Sequence, residues 1–153
     1  SIDDLYDRLT YERYPTEWSD IQTNLQKFLK LRTENSNLFL TLCPTVSNYN
    51  VYYLPEYFEW ANKLDIHVYF NILHYSPSHS IKNLPTRLKT MVADRLTIKE
   101  FDEVKRFLLL ESENDELILD FIKHTIDLDE YRKQDFEETF GVWGKMIMEY
   151  KNG

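Results

Sequence analysis

Two β-rich runs, "NLFLTLC" at 37–43 and "DIHVYFNIL" at 65–73, flank one segment of helical period, and that alternation constrains the fold more than any other feature. The intervening "VYYLPEYFEWANKL" sets Leu54, Tyr57, Phe58, Ala61 and Leu64 on one helical face. A strand, a helix and a strand predict a parallel pair joined by a right-handed crossover. Upstream, Ser-Ile-Asp reads as the tip of another strand. A helix is expected over about 17–32, with Thr16 as its cap and Ile21, Leu25, Phe28 and Leu29 at helical spacing. The order is βαβαβ. Pro44 is expected to stop the middle strand, and in the last one Ile66, Val68, Phe70 and Ile72 alternate inward while His67 turns away.

Three parallel strands do not finish a sheet, because parallel sheets are normally covered on both faces and are seldom so small. Residues 1–85 therefore read as one side of something larger. Beyond them the character changes: all five prolines lie at or before Pro85. Residues 1–96 carry 11 acidic and 10 basic side chains, a net of −1, whereas 97–153 carry 15 and 8, a net of −7. Residues 86–153 are expected to form a helical extension. Thr97 and Glu100 have capping-box spacing, opening a helix with Ile98, Phe101, Val104, Phe107 and Leu108 inward. Further helices should carry Leu117, Ile118, Phe121 and Ile122, then Tyr131, Phe136, Phe140, Trp143, Ile147 and Tyr150.

The acidic C-terminal part would repel a phosphate backbone, so no nucleic-acid partner is expected. No apolar run approaches the length needed to span a bilayer, and no membrane partner is expected. The three glycines, Gly141, Gly144 and Gly153, all lie near the C-terminus, so the first 140 residues hold no glycine-rich phosphate loop. Cys43, the one cysteine, cannot hold a cluster or a structural zinc alone, and at the end of an apolar run it is expected to be buried.

In parallel α/β folds ligands sit at the carboxyl ends of the strands. Here those ends lead into "DDLYDR", "PTVSNYN" and "HYSPSHS", each polar or turn-rich. Arg13 could pair a ligand carboxylate bidentately, or form a salt bridge to Glu12, Asp3 or Asp7. Asp3 and Asp4 could do acid–base work or simply be solvated. Asn71, a polar break in "VYFNIL", is either a core amide or a pocket-lining group. His74 and His79 flank a proline turn as substrate contacts or solvated loop residues, not at metal-pair spacing.

The ordered series "SIDDLYDRLTYERYPTEWSDIQTNL", "TVSNYN", "NVYYLPEYFEW" and "IHVYFNIL" resembles the second half of radical SAM enzymes, in particular twitch-domain-containing ones common in phage-like genomes. The resemblance runs from Ser1 to about Lys89. It implies the C-terminal half of a partial (βα)6 TIM-like barrel followed by an α-helical extension. It also implies a missing N-terminal half with the CxxxCxxC loop for a 4Fe-4S cluster that chelates S-adenosylmethionine. On that comparison neither cofactor is held by this chain alone, the chain is inactive unaided, and the parent is cytoplasmic. Ser1, Asp3, Arg13 and Asn50 match positions near the cofactor. The substrate, a small molecule or a peptide, would meet Asn71 and His74. Two departures stand out: Asp4 replaces the glycine of the family's Ser-x-Asp-Gly element, and no cysteine follows Cys43 for an auxiliary cluster. The alternative is a complete, non-catalytic acidic α/β interaction protein.

Overall fold

The computed structural model describes residues 2–114 and 116–152. Its sheet is small. β1 (Thr41–Leu42) and β2 (Thr45–Val46) pair in parallel with β3 (His67–Val68) and β4 (Asn71–Ile72), and the register is shared: 67 − 41 and 71 − 45 both equal 26. The N–H groups of Tyr69, Asn71 and Leu73 donate to the carbonyls of Leu42, Pro44 and Val46 at 2.8, 3.0 and 3.1 Å. The two short pairs are therefore one ladder with a rung missing. Pro44 does not stop the strand as expected: it has no N–H to return, but its carbonyl keeps the pairing in step. α3 (Leu54–Lys63) makes the crossover, so the parallel pair joined through a helix is present.

The strand tip at the N-terminus is not a ladder strand. Residues 2–4 lie along the first strand through side chains instead. Asp3 Oδ1 accepts from the Thr45 N–H at 2.7 Å, and Asn50 Nδ2 donates to the carbonyls of Asp3 and Thr45 at 3.0 and 2.8 Å. The Tyr57 hydroxyl donates to the Ile2 carbonyl at 2.7 Å. The chain is a mixed α/β structure dominated by helices, and among the described residues no sheet closes.

The ladder has two faces, as the period of two requires. Val46, Val68 and Ile72 are buried and Leu42 half-buried on the helix-covered side. Thr41, Cys43, His67, Tyr69 and Asn71 are exposed on the other, with Thr45 half-buried among them. The expected burial of Cys43 is thereby corrected: its position in the alternation turns it away from α3. His67 faces outward as anticipated.

α2 (Trp18–Glu34) covers the predicted helix, but Thr16 does not cap it. Glu17 sits at the N-cap without a side-chain hydrogen bond. Only Leu25 of α2 is buried, and Phe28 is exposed beside an apolar groove of about 420 Å³ that also touches Ile2, Leu42, Cys43 and Ile66. α1 (Tyr6–Glu12) and α4 (Thr86–Arg95) are helices that the apolar spacing did not announce. The Thr97–Glu100 capping box does not form: a 3-10 turn over Lys99–Phe101 precedes α5 (Asp102–Leu108). α6 (Leu117–Arg132) and α7 (Phe136–Met148) bury Phe121, Phe136, Phe140 and Trp143 as expected, but Tyr131 ends up exposed on α6 and Tyr150 half-buried beyond α7. One core joins Val46, Leu54 and Ile72 to Leu88, Phe101, Phe121, Phe136 and Trp143.

Candidate functional site

α1 and α6 together fix the position of a cleft at the strand ends. Tyr11, buried in α1, donates to Asp129 Oδ1 on α6 at 2.7 Å, and Arg132 donates to the Tyr11 carbonyl at 3.2 Å. The next two residues, Glu12 and Arg13, are thus carried to the carboxyl end of the first strand. There they meet Asp3, Thr45 and Ser47, and Tyr49, Leu73 and His79 complete a cleft of about 160 Å³. It lies where parallel α/β folds place their ligands.

Within the cleft Arg13 and Asp3 form an ion pair, with Nε donating to Asp3 Oδ2 at 2.5 Å and a second guanidinium nitrogen against the same oxygen. Asp3 is buried and Arg13 is half exposed, so the guanidinium keeps solvent-facing donors. That leaves it free to accept a second carboxylate. Ser47 Oγ accepts from the Tyr49 N–H at 3.3 Å. The His79 ring packs against Tyr49, Phe121 and His124, with centroids 5.8, 5.2 and 5.0 Å away, and Ser76 and Ser78 hydroxyls meet its Nδ1. Burial, and then the neighbouring His124, pull His79 down to about 4, so the ring is neutral at pH 7.

The sequence-predicted residues fall into distinct places. Asp3 and Arg13 line the cleft. Asn50 lies behind it, fully occupied: its Oδ1 accepts from Ser47 N–H at 3.0 Å while Nδ2 makes the two bonds given above. It shapes the turn and offers no free amide to a ligand. Asn71 is exposed on the open sheet face, in register with the cleft residue Thr45. His74 is exposed, packs on Phe107 at 4.7 Å and is not among the cleft residues. Ser1 lies outside the described residues. His79, one of the two loop histidines offered as substrate contacts, lines the cleft, whereas Glu12, Ser47 and Tyr49 are cleft residues that the sequence does not single out for binding. Their signal is position alone, since each follows a strand or immediately precedes Arg13.

The donor set does not fit an iron–sulfur cluster. Cys43 is the single cysteine, and among the described residues no three His, Cys, Asp or Glu side chains form a metal-holding group. What the cleft does offer is the solvent-facing N–H groups of Arg13, suited to an anionic group. No helix among the described residues is long and apolar enough to cross a membrane. Compared with protein-family models, curated proteins and solved structures, the chain matches none of them.

Proposed function

We propose that this chain supplies the C-terminal half of a radical SAM partial (βα)6 barrel, with residues 1–85 as barrel wall and 86–153 as a helical extension. One observation carries the reading: a parallel ladder covered on one side only, whose open face bears Thr41, Cys43, Thr45, His67, Tyr69 and Asn71 and leads into the Arg13–Asp3 cleft. A parallel sheet with a bare, largely polar face is a lumen wall awaiting its opposite side. The exposed face of such a half-barrel is expected to be apolar; here it carries Thr41, Cys43, Thr45, His67, Tyr69 and Asn71, and the apolar surface lies instead in the groove beside α2.

In this reading S-adenosylmethionine, when bound, supplies the sulfonium whose reductive cleavage starts radical chemistry, and the cluster lies on the partner half. The chain's own residues bind and orient. Arg13 holds a carboxylate, Asp3 holds Arg13, and Thr45 and Ser47 offer hydroxyls at the strand ends. Asn50 fixes the turn that presents them. Asn71 and Tyr69 face the substrate, a small molecule or peptide side chain, from the open wall. A reducing, cytoplasmic setting follows from the cluster. The continuous core between the two parts favours a second reading, a complete non-catalytic acidic interaction protein.

The test joins the chain to an N-terminal half bearing a CxxxCxxC loop, reconstitutes with iron and sulfide, and measures 5′-deoxyadenosine. Product should require both halves, and Arg13→Ala should lower apparent cofactor affinity by about tenfold, the worth of one charge-assisted contact. Absence of product with every half tried, together with a chain that melts cooperatively alone as a monomer, would establish the second reading.

A further inference from the structure

Two buried carboxylate oxygens have no partner that can donate to them: Asp4 Oδ2 and Glu12 Oε1. Asp4 is 1% exposed, and Glu12 keeps some outer surface while its Oε1 is sealed. An orphaned pair of acceptors in an apolar setting is costly, and two carboxylates side by side cannot both ionise there. The two side chains are within hydrogen-bonding reach of each other. One proton placed between them satisfies both.

We propose that Asp4 and Glu12 share a single proton and form a pH-releasable clasp that positions the neighbouring Arg13–Asp3 ion pair in the cleft. The geometry is a double tie. Residues 3 and 4 face residues 13 and 12 across α1, so the ion pair and the shared proton close the same loop side by side. The surroundings hold Asp4 in place. Its Oδ1 accepts from the Leu5 N–H at 2.7 Å and from Arg8 Nε at 3.0 Å. Arg8 is itself divided, donating to Glu56 at 3.0 Å and lying 3.8 Å over the Tyr53 ring. The other charged or titratable groups facing the pair are Asp3, Arg13, Glu56 and Tyr57 from α3, Tyr53 just before it and, from the strand-end turn, Tyr49. Among these, Asp3 favours the proton and Arg13 opposes it.

Burial raises both acids, Asp4 to about 6 against the pull of Arg8, and Glu12 well above the ordinary carboxylate range. The pair then holds its shared proton more tightly folded than unfolded. The stabilising contribution is complete below the ordinary carboxylate range and is lost as the pH climbs through 6 and beyond. Above that range like-charge repulsion opens the clasp, and only the half-exposed ion pair remains to hold Arg13. The clasp is independent of the radical SAM reading, because it concerns the chain alone.

The experiment follows urea unfolding of the full chain at pH 5 and pH 8, for the parent and for Glu12→Gln, whose amide donates permanently where the proton was. Between the two pH values the parent's unfolding constant should rise about tenfold more than the variant's, because the parent's folded state must give up a proton that the variant never holds. On the folded parent, side-chain carboxyl carbon resonances assigned with Asp4→Asn and Glu12→Gln should titrate together above pH 5.5, and the Arg13 Nε–H signal should move with them. Independent titration of the two acids below pH 5, equal pH slopes in parent and variant, or an Arg13 signal unmoved through the titration would each overturn the clasp.

Discussion

The indole N–H of Trp143 donates to the carbonyl of Asn48 at 2.8 Å, across 95 positions of sequence, with both groups buried. It ties the last helix to the turn after the first strand, next to the cleft residues Ser47 and Tyr49. The ring also stacks on Tyr52 at 5.1 Å with planes 9° apart.

That tie predicts how the helical extension supports the cleft. Trp143→Phe should cost about 1–3 kcal/mol, because it orphans a buried carbonyl while keeping most of the apolar contact. Trp143→Ala adds a cavity and should cost about 3–5 kcal/mol. Urea unfolding at pH 7 measures both. A Trp143→Phe variant as stable as the parent would show that the bond to Asn48 contributes nothing.

Arg13 and Asp3 form one pair with unequal consequences. Asp3 is 2% exposed and accepts from both Arg13 and the Thr45 N–H. Asp3→Ala removes both partners and should destabilise by about 2–4 kcal/mol. Arg13 is 45% exposed, so Arg13→Ala should cost only about 1 kcal/mol after solvent screening. Thermal or urea unfolding of the two variants checks the asymmetry. The small cost makes Arg13→Ala a clean reporter of ligand binding.

Two glycines in α7 do different work. Gly141 has φ +53 inside the helix, a conformation in which a side chain is strained by about 1–2 kcal/mol. Its kink lets the Phe140 carbonyl accept from the Tyr53 hydroxyl at 2.5 Å, fastening α7 near α3. At Gly144 an added Cβ would lie 2.8 Å from the Phe136 carbonyl and 3.0 Å from Glu137 Cα, both backbone. Gly144→Ala must therefore shift a turn of helix and should lose at least about 1–3 kcal/mol by overpacking. Circular dichroism melts of both variants, with Tyr53→Phe beside them, measure these costs.

Much of this arrangement is legible in the sequence because it depends on period. Ile66, Val68 and Ile72 announce a one-sided strand, and Phe136, Phe140, Trp143 and Ile147 announce a buried helix face. What escapes depends on contacts distant in sequence. α1 is seven residues long and is held by Tyr11 bonding to Asp129, which no local pattern reveals. Cys43 is misread as buried because an apolar run hides which residues face the open side until the register is known. Asp3 and Arg13 stand out through chemistry and chain position. His79 stands out as a loop histidine after a strand, whereas Glu12 and Tyr49 become visible as cleft residues only once strand ends and helix ends meet in space.

His79 supplies the pH dependence of opposite sign to the acid clasp. Its ring is held neutral by burial among Tyr49, Phe121 and His124, with its protonation drawn down to about 4. The unfolded ring protonates near 6.5, so the stabilising contribution is full above that value. It is lost as the pH falls from about 6.5 toward 4, because only the unfolded chain gains the proton in that window. Part of the ring is open to solvent, and screening leaves a contribution of about 1–2 kcal/mol. His79→Asn should remove the slope between pH 6.5 and 4.5 while leaving the slope between pH 5 and 8 that Glu12→Gln removes. Urea unfolding across both windows, with the double variant included, separates the two. A parent whose stability does not fall below pH 6.5 would show that His79 is solvated and free to protonate in the fold.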